Sequence, residues 1–169
     1  MNFRILCAVA ILTLAGCATR QDAPSVQADV SSSDSGSSDS SIVEPSSVAT
    51  AAMLAEEAMK SVEPSIYFDY DKFQIKENYQ LTISAFAEYL RTHPNSRILI
   101  EGNCDERGTI EYNLALGQKR ADAVSSALEV VGIASNRIET ISNGEEKPRN
   151  NIKSEAGYSV NRRADLIIR

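Results

Sequence analysis

Apolar residues along this chain keep different rhythms, and each rhythm marks a different kind of segment. Ile5 to Leu14 is an apolar run behind a single positive residue, Arg4. Residues 31–41, SSSDSGSSDSS, have almost nothing to bury and cannot offset the entropy of ordering, so this part is expected to be disordered. From Val48 to Val62 the sequence is Ala-rich and its spacing turns helical, with Met53, Leu54, Ala58 and Val62 as inward candidates. Whether this segment, 48–64, packs on the rest is left open by the pattern.

Beyond it, strand and helix patterns alternate. Ile66-Tyr67-Phe68 is a short β run, followed by the charged loop Asp69-Tyr70-Asp71-Lys72. Glu77 to Thr92 puts Tyr79, Ile83, Phe86 and Leu90 on one helical face, and Pro94 stops it. Arg97 to Glu101 is a second strand. The next helix has Leu114, Gly117, Ala121, Val124, Leu128 and Val131 as its core stripe, with Gly132 as C-cap and Gly117 allowing a close approach. Arg137 to Ile141 is a third strand. Asn143-Gly144 opens a long loop containing Pro148, and Asn161 to Ile168 is a last strand with Ala164, Leu166 and Ile168 on one side. This alternation predicts an α/β sandwich over residues 65–169, helices packed on one face of a small mixed sheet.

Composition narrows the possibilities. The chain is 43% hydrophobic and 24% charged, with a net charge of −6, so it offers no basic patch to neutralise nucleic-acid phosphates. Residues 1–16 read as a signal peptide, since the apolar run is too short to span a bilayer. The run ends in Leu14-Ala15-Gly16-Cys17, which looks like a lipobox that would leave Cys17 as the lipidated first residue; an ordinary secretory signal is the alternative. Residues 17–47 then form a tether with a root-mean-square span of about 30 Å. With Cys7 lost and Cys17 lipidated, Cys104 has no intramolecular partner, and it is expected to be a packed small hydrophobe rather than a reactive thiol.

Candidate chemistry concentrates in EGNCDERGTIEYNLALGQKR, Glu101 to Arg120. A strand delivers a charged loop to a helix N-terminus, where backbone N–H groups and a positive dipole end meet solvent. Asp105 lies in that loop, while Asn113 and Arg120, nearly two turns apart, share a stripe of the helix that flanks its core stripe. An acid, an amide and a guanidinium therefore converge. The plainer alternative makes Asp105 a helix cap among solvated turn charges.

EGNCDERGT, EYNLALGQKRADAV and the Tyr158–Ala164 segment YSVNRRA together resemble the OmpA-like peptidoglycan-binding domain, over about Ile66 to Arg169. The resemblance is strongest to its lipoprotein branch, which belongs to the Tol-Pal system. Asn103 departs from the histidine often found after the glycine. The resemblance implies non-covalent binding of the diaminopimelate residue of the peptidoglycan stem peptide, whose unlinked end carries an ammonium and a carboxylate. Asp105 matches the residue that takes the ammonium, and Arg120 the one that clamps the carboxylate through a bidentate fork. Asp71, Asn113 and Arg162 match orienting positions, although Arg162 and Arg163 also read as surface strand charge and Asn113 as support for the helix start. The resemblance further implies an outer-membrane lipid anchor, favoured by Ala18, with the domain facing the periplasm. It implies a role in envelope integrity and cell division, and TolB and other Tol-Pal proteins as partners on an overlapping surface. A protein-interaction module with little peptidoglycan binding is the alternative.

Enzymatic readings find little support. A hydrolase would need two close carboxylates from among Glu101, Asp105, Glu106, Glu111, Asp69 and Asp71, a cheap coincidence in an acidic chain. The single histidine, His93, precedes Pro94 at a helix end, where it complements the dipole. Asp69 and Asp71 alone lack the remaining ligands of a calcium loop. Neither catalysis nor a cofactor or metal is expected.

Overall fold

The computed structural model describes residues 45–169. The expected signal peptide, Cys17 and most of the expected tether lie outside the described residues. Helix α1, Pro45–Ser61, leads to the short strand β1, Ser65–Tyr67. A 3-10 turn at Glu77–Tyr79 opens helix α2, Gln80–Thr92, and strand β2 runs Ile98–Asn103. Helix α3, Ile110–Val130, is followed by strand β3, Ile138–Gly144, then helix α4, Glu155–Asn161, and strand β4, Arg163–Ile168.

The four strands form one mixed sheet in the order β1-β4-β2-β3. Strand β4 is antiparallel to both β1 and β2, whereas β2 and β3 are parallel, joined through α3. This is the expected α/β sandwich. Ile66, Ile98, Ile100, Ala164 and Leu166 of the sheet meet Ile83, Phe86 and Leu90 of α2 and Ala121, Val124 and Leu128 of α3 in one core. Each fully buried aliphatic side chain contributes about 1.5–3 kcal/mol.

Several sequence-based placements shift. The inward residues here are Ala55 and Met59 of α1 and Val62 just after it, while Met53 and Leu54 are 72% and 62% exposed and Ala58 is exposed as well. On α3, Leu114 is 49% exposed, and the buried residues are Asn113, Leu116, Gly117, Arg120, Ala121, Val124 and Leu128. Asn113 and Arg120 thus stand within the buried face instead of flanking it. Strand β3 extends to Gly144, paired with Asn103. Asn161 ends a helix the apolar pattern did not reveal, α4, whose Ser154 side chain accepts a hydrogen bond from the Gly157 N–H.

Strand β2 and helix α3 approach each other closely. A Cβ at Gly102 would stand 1.9 Å from the Gly117 carbonyl oxygen, and one at Gly117 would stand 2.3 Å from Ser142 Oγ. Both glycines are required for α3 to lie this low on the sheet, and that depth brings Asn113 and Arg120 to the end of β2.

Candidate functional site: a cavity at the end of strand β2

All five expected residues, Asp71, Asp105, Asn113, Arg120 and Arg162, line one cavity of about 130 Å³. They come from four places in the chain: the loop after β1, the loop after β2, helix α3 and the residue before β4. Tyr70, Arg107 and Tyr112 complete its mouth.

Asp105 is 4% exposed and does not cap α3; Thr109 does, its side chain accepting from the Tyr112 N–H. Asp105 Oδ1 accepts from the Arg107 backbone N–H and Nε, each at 3.1 Å. Its Oδ2 accepts from Arg107 Nη2 at 2.6 Å and Arg162 Nη1 at 3.2 Å. Burial works to raise the Asp105 carboxyl, but these bonds from Arg107 and Arg162 win and hold it below the usual carboxylate range. Arg162 is buried as well, donating also to the Phe68 carbonyl and to Glu155, so it is no surface strand charge.

Arg120 has no exposed surface. Its Nε donates to the Lys72 carbonyl at 2.9 Å, Nη1 to the Asn103 carbonyl at 2.8 Å and to Cys104 Sγ at 3.3 Å, and Nη2 to the Asp69 carbonyl at 3.4 Å. A guanidinium has five N–H donors, so at most one remains for the cavity. The expected bidentate fork toward a ligand is therefore not what this arrangement offers. Arg120 instead ties the loop after β1 to the end of β2 and places its positive charge beneath the cavity.

Asn113 Nδ2 donates to the Asp105 carbonyl at 3.2 Å and to Glu145 Oε2 at 2.5 Å, which locks the loop after β2 to α3. Glu145 was not evident from sequence; only its position beside the turn glycine Gly144 hinted at it. Asp71 has a φ of 55°, left-handed backbone outside glycine, and accepts a hydrogen bond from the Tyr112 hydroxyl. Such backbone is uncommon and tends to mark functional loops. Cys104 is 3% exposed and donates to the Asn113 carbonyl, and burial pushes its thiol up to about 11. His93 stacks on Tyr89, ring centroids 4.1 Å apart, away from the cavity. Asp69 pairs with Lys76 at 2.6 Å, and no group of three or more metal-ligating side chains occurs among the described residues.

The fold and the sequence that carry this cavity match known proteins. The OmpA family model matches residues 67–162, and the chain belongs to the OmpA family. It sits there among the peptidoglycan-associated lipoproteins. That of Haemophilus influenzae is 49% identical over 102 residues, 60% of this chain and 67% of that protein. That of Brucella melitensis biotype 1 is 35% identical over 157 residues, 93% of this chain and 86% of that protein. The crystal structure of the peptidoglycan-associated lipoprotein from Burkholderia pseudomallei superposes with a TM-score of 0.62 at 48% identity, covering 63% of this chain and 91% of that one.

Proposed function

We propose that the cavity binds the unlinked end of the diaminopimelate residue in peptidoglycan stem peptides, and that the protein so ties the outer membrane to the wall. One observation carries this reading: Asp105 and Arg120, opposite charges, line a single cavity of about 130 Å³. An amino-acid end carries an ammonium and a carboxylate on one carbon, and a small cavity with one acid and one guanidinium complements it. Asp105 takes the ammonium. Arg120 stabilises the carboxylate mainly by its field and at most one N–H, and Asn113, Asp71 and Arg162 fix the loops around them. The names of the relatives support the peptidoglycan part, and the LAGC segment ending at Cys17 supports a lipid anchor in the outer membrane.

Function within a Tol-Pal system, with TolB as a partner and a role in envelope integrity and cell division, extends this proposal. The exposed Tyr70 and Tyr112, which line the cavity, favour a protein partner on an overlapping surface. Excess muropeptide should then displace TolB.

The test is co-sedimentation with purified peptidoglycan sacculi. Asp105→Ala removes the ammonium acceptor and leaves the site net positive, which costs about 2–5 kcal/mol of binding. The variant should keep native circular dichroism and stay in the supernatant. A folded Asp105→Ala protein that pellets like the wild type would place the function elsewhere on the domain.

A further inference from the structure

We infer that a second cavity, walled by the loop between β3 and α4, binds the N-acetylated amino sugar to which a peptidoglycan stem peptide is attached. The inference rests on the reading of the first cavity given above.

The second cavity measures about 400 Å³. Residues of the 145–153 loop form one wall, and Cys104, Glu106, Tyr158 and Asn161 form the rest. It adjoins the first: Cys104 lines both, and Asn113 of the first donates to Glu145 of the second at 2.5 Å. Tyr158, which lines the second, has its ring 4.4 Å from the Arg107 guanidinium at the mouth of the first. In a stem peptide only two amino acids, on the order of 10 Å of chain, separate the diaminopimelate residue from the sugar. A ligand seated in the first cavity therefore has the second within reach.

The lining selects the class of ligand. Its charges are mixed and mostly paired: Glu106 pairs with Lys153 at 3.2 Å and accepts from the Tyr158 hydroxyl at 3.1 Å, while Glu145 accepts from Asn113. A cationic ligand would find Glu146 alone unpaired, and would meet Lys153 as well. What stays open is the capacity for hydrogen bonds to a neutral group. Among the described residues nothing bonds to Asn150 Nδ2, to the Asn151 side chain or to the Glu146 carboxylate. Asn150 is held in place, its Oδ1 accepting from the Ile152 N–H at 2.8 Å and its carbonyl from Asn161 Nδ2 at 2.7 Å, so its amide nitrogen is preorganised. An amide donates and accepts, a carboxylate accepts, and a sugar hydroxyl does both. Pro148 and Ile152, the latter 65% exposed, add an apolar surface for the C–H face of a sugar ring and an acetyl methyl group.

The experiment is calorimetric titration of the full-length protein with the tripeptide L-Ala-γ-D-Glu-meso-diaminopimelate, free or carrying the N-acetylglucosaminyl-N-acetylmuramyl disaccharide. The wild type should bind the sugar-bearing form roughly tenfold more tightly. The double variant Glu146→Ala, Asn151→Ala should lose that advantage and bind the free tripeptide as the wild type does, which also shows that it is folded. Glu146→Gln keeps an acceptor without the charge and should retain most of the advantage. Equal binding of the two forms by the wild type, or an advantage that survives in the double variant, overturns the inference and leaves the first cavity as the peptide site. A full loss in Glu146→Gln, equal to that in the double variant, overturns it in favour of a cationic ligand. Failure of the wild type to bind either form overturns the inference together with the reading it rests on.

Discussion

Two carboxylates in this domain are each held by two arginines, and of the two only Asp105 lines the cavity. Asp165 lies mid-strand on β4, flanked by the core residues Ala164 and Leu166, so it points to the face of the sheet away from the core. It accepts from Arg149 Nη2 at 2.8 Å, Arg163 Nε at 3.0 Å, Ser65 Oγ at 2.7 Å and Asn103 Nδ2 at 3.3 Å. All of these partners are anchored: Arg163 is buried and donates to the Asn161 and Lys147 carbonyls, and Arg149 also reaches the Tyr67 hydroxyl. Asp105 has the same charge pattern, but one of its arginines stands on a loop at the mouth of a cavity. An acid gripped by two arginines is thus not in itself a binding site. The difference is the cavity, which Asp105 lines and Asp165 does not.

The comparison breaks most completely at Gly102. Strand β2 carries both clusters, since Asn103 gives its side chain to Asp165 and its carbonyl to Arg120. Gly102→Ala would force a methyl group against the Gly117 carbonyl, placed 1.9 Å away, and should cost about 3 kcal/mol or more, read as a lowered urea midpoint. Asp165→Ala and Asp105→Ala separate the clusters. Each strands a buried arginine and should cost about 2 kcal/mol of stability in chemical denaturation. Asp165→Ala should still pellet with sacculi, and Asp105→Ala should not. Equal loss of pelleting in both would erase the distinction drawn here.

Acid sharpens the same contrast more gently. The native Asp105 carboxyl lies below its ordinary value of about 4, so its stabilising contribution is present above that value and fades as pH falls through the native one. The stability gap between wild type and Asp105→Asn should narrow on moving from pH 5 toward about 3. The smallest effect belongs to Cys104, beneath the cavity. With its thiol pushed up to about 11 and buried, it should stay unmodified by a thiol reagent at pH 8 and react on addition of denaturant. Fast labelling of the native protein would mean the cavity floor opens.

Much of this was legible in the sequence because periodicity reports burial. The spacing of Ile83, Phe86 and Leu90, and of Ala121, Val124 and Leu128, marks the faces that pack. The motif residues Asp71, Asp105, Asn113, Arg120 and Arg162 come to one cavity from distant positions, which spacing alone does not predict. What stayed hidden is instructive. A buried polar stripe looks like an exposed one to a hydropathy pattern, so Leu114 passed for core while Asn113 and Arg120 passed for its flank. Helix α4 is only seven residues long with a glycine inside it, so no apolar period marks it. The saturation of Asp105 depends on which donors face it across 57 residues of sequence from Arg162, and no local pattern encodes that.

Titration of the isotope-labelled protein with a diaminopimelate muropeptide, followed by backbone amide chemical shifts, tests the central claim most directly. The account predicts the largest shifts at Asp71, Asp105, Arg107 and Asn113, with the Ser65, Arg149 and Asp165 cluster still. Shifts concentrated at Asp165 and its partners, or on the outer side of α1, with the amides of Asp105 and Arg107 unmoved, would contradict it.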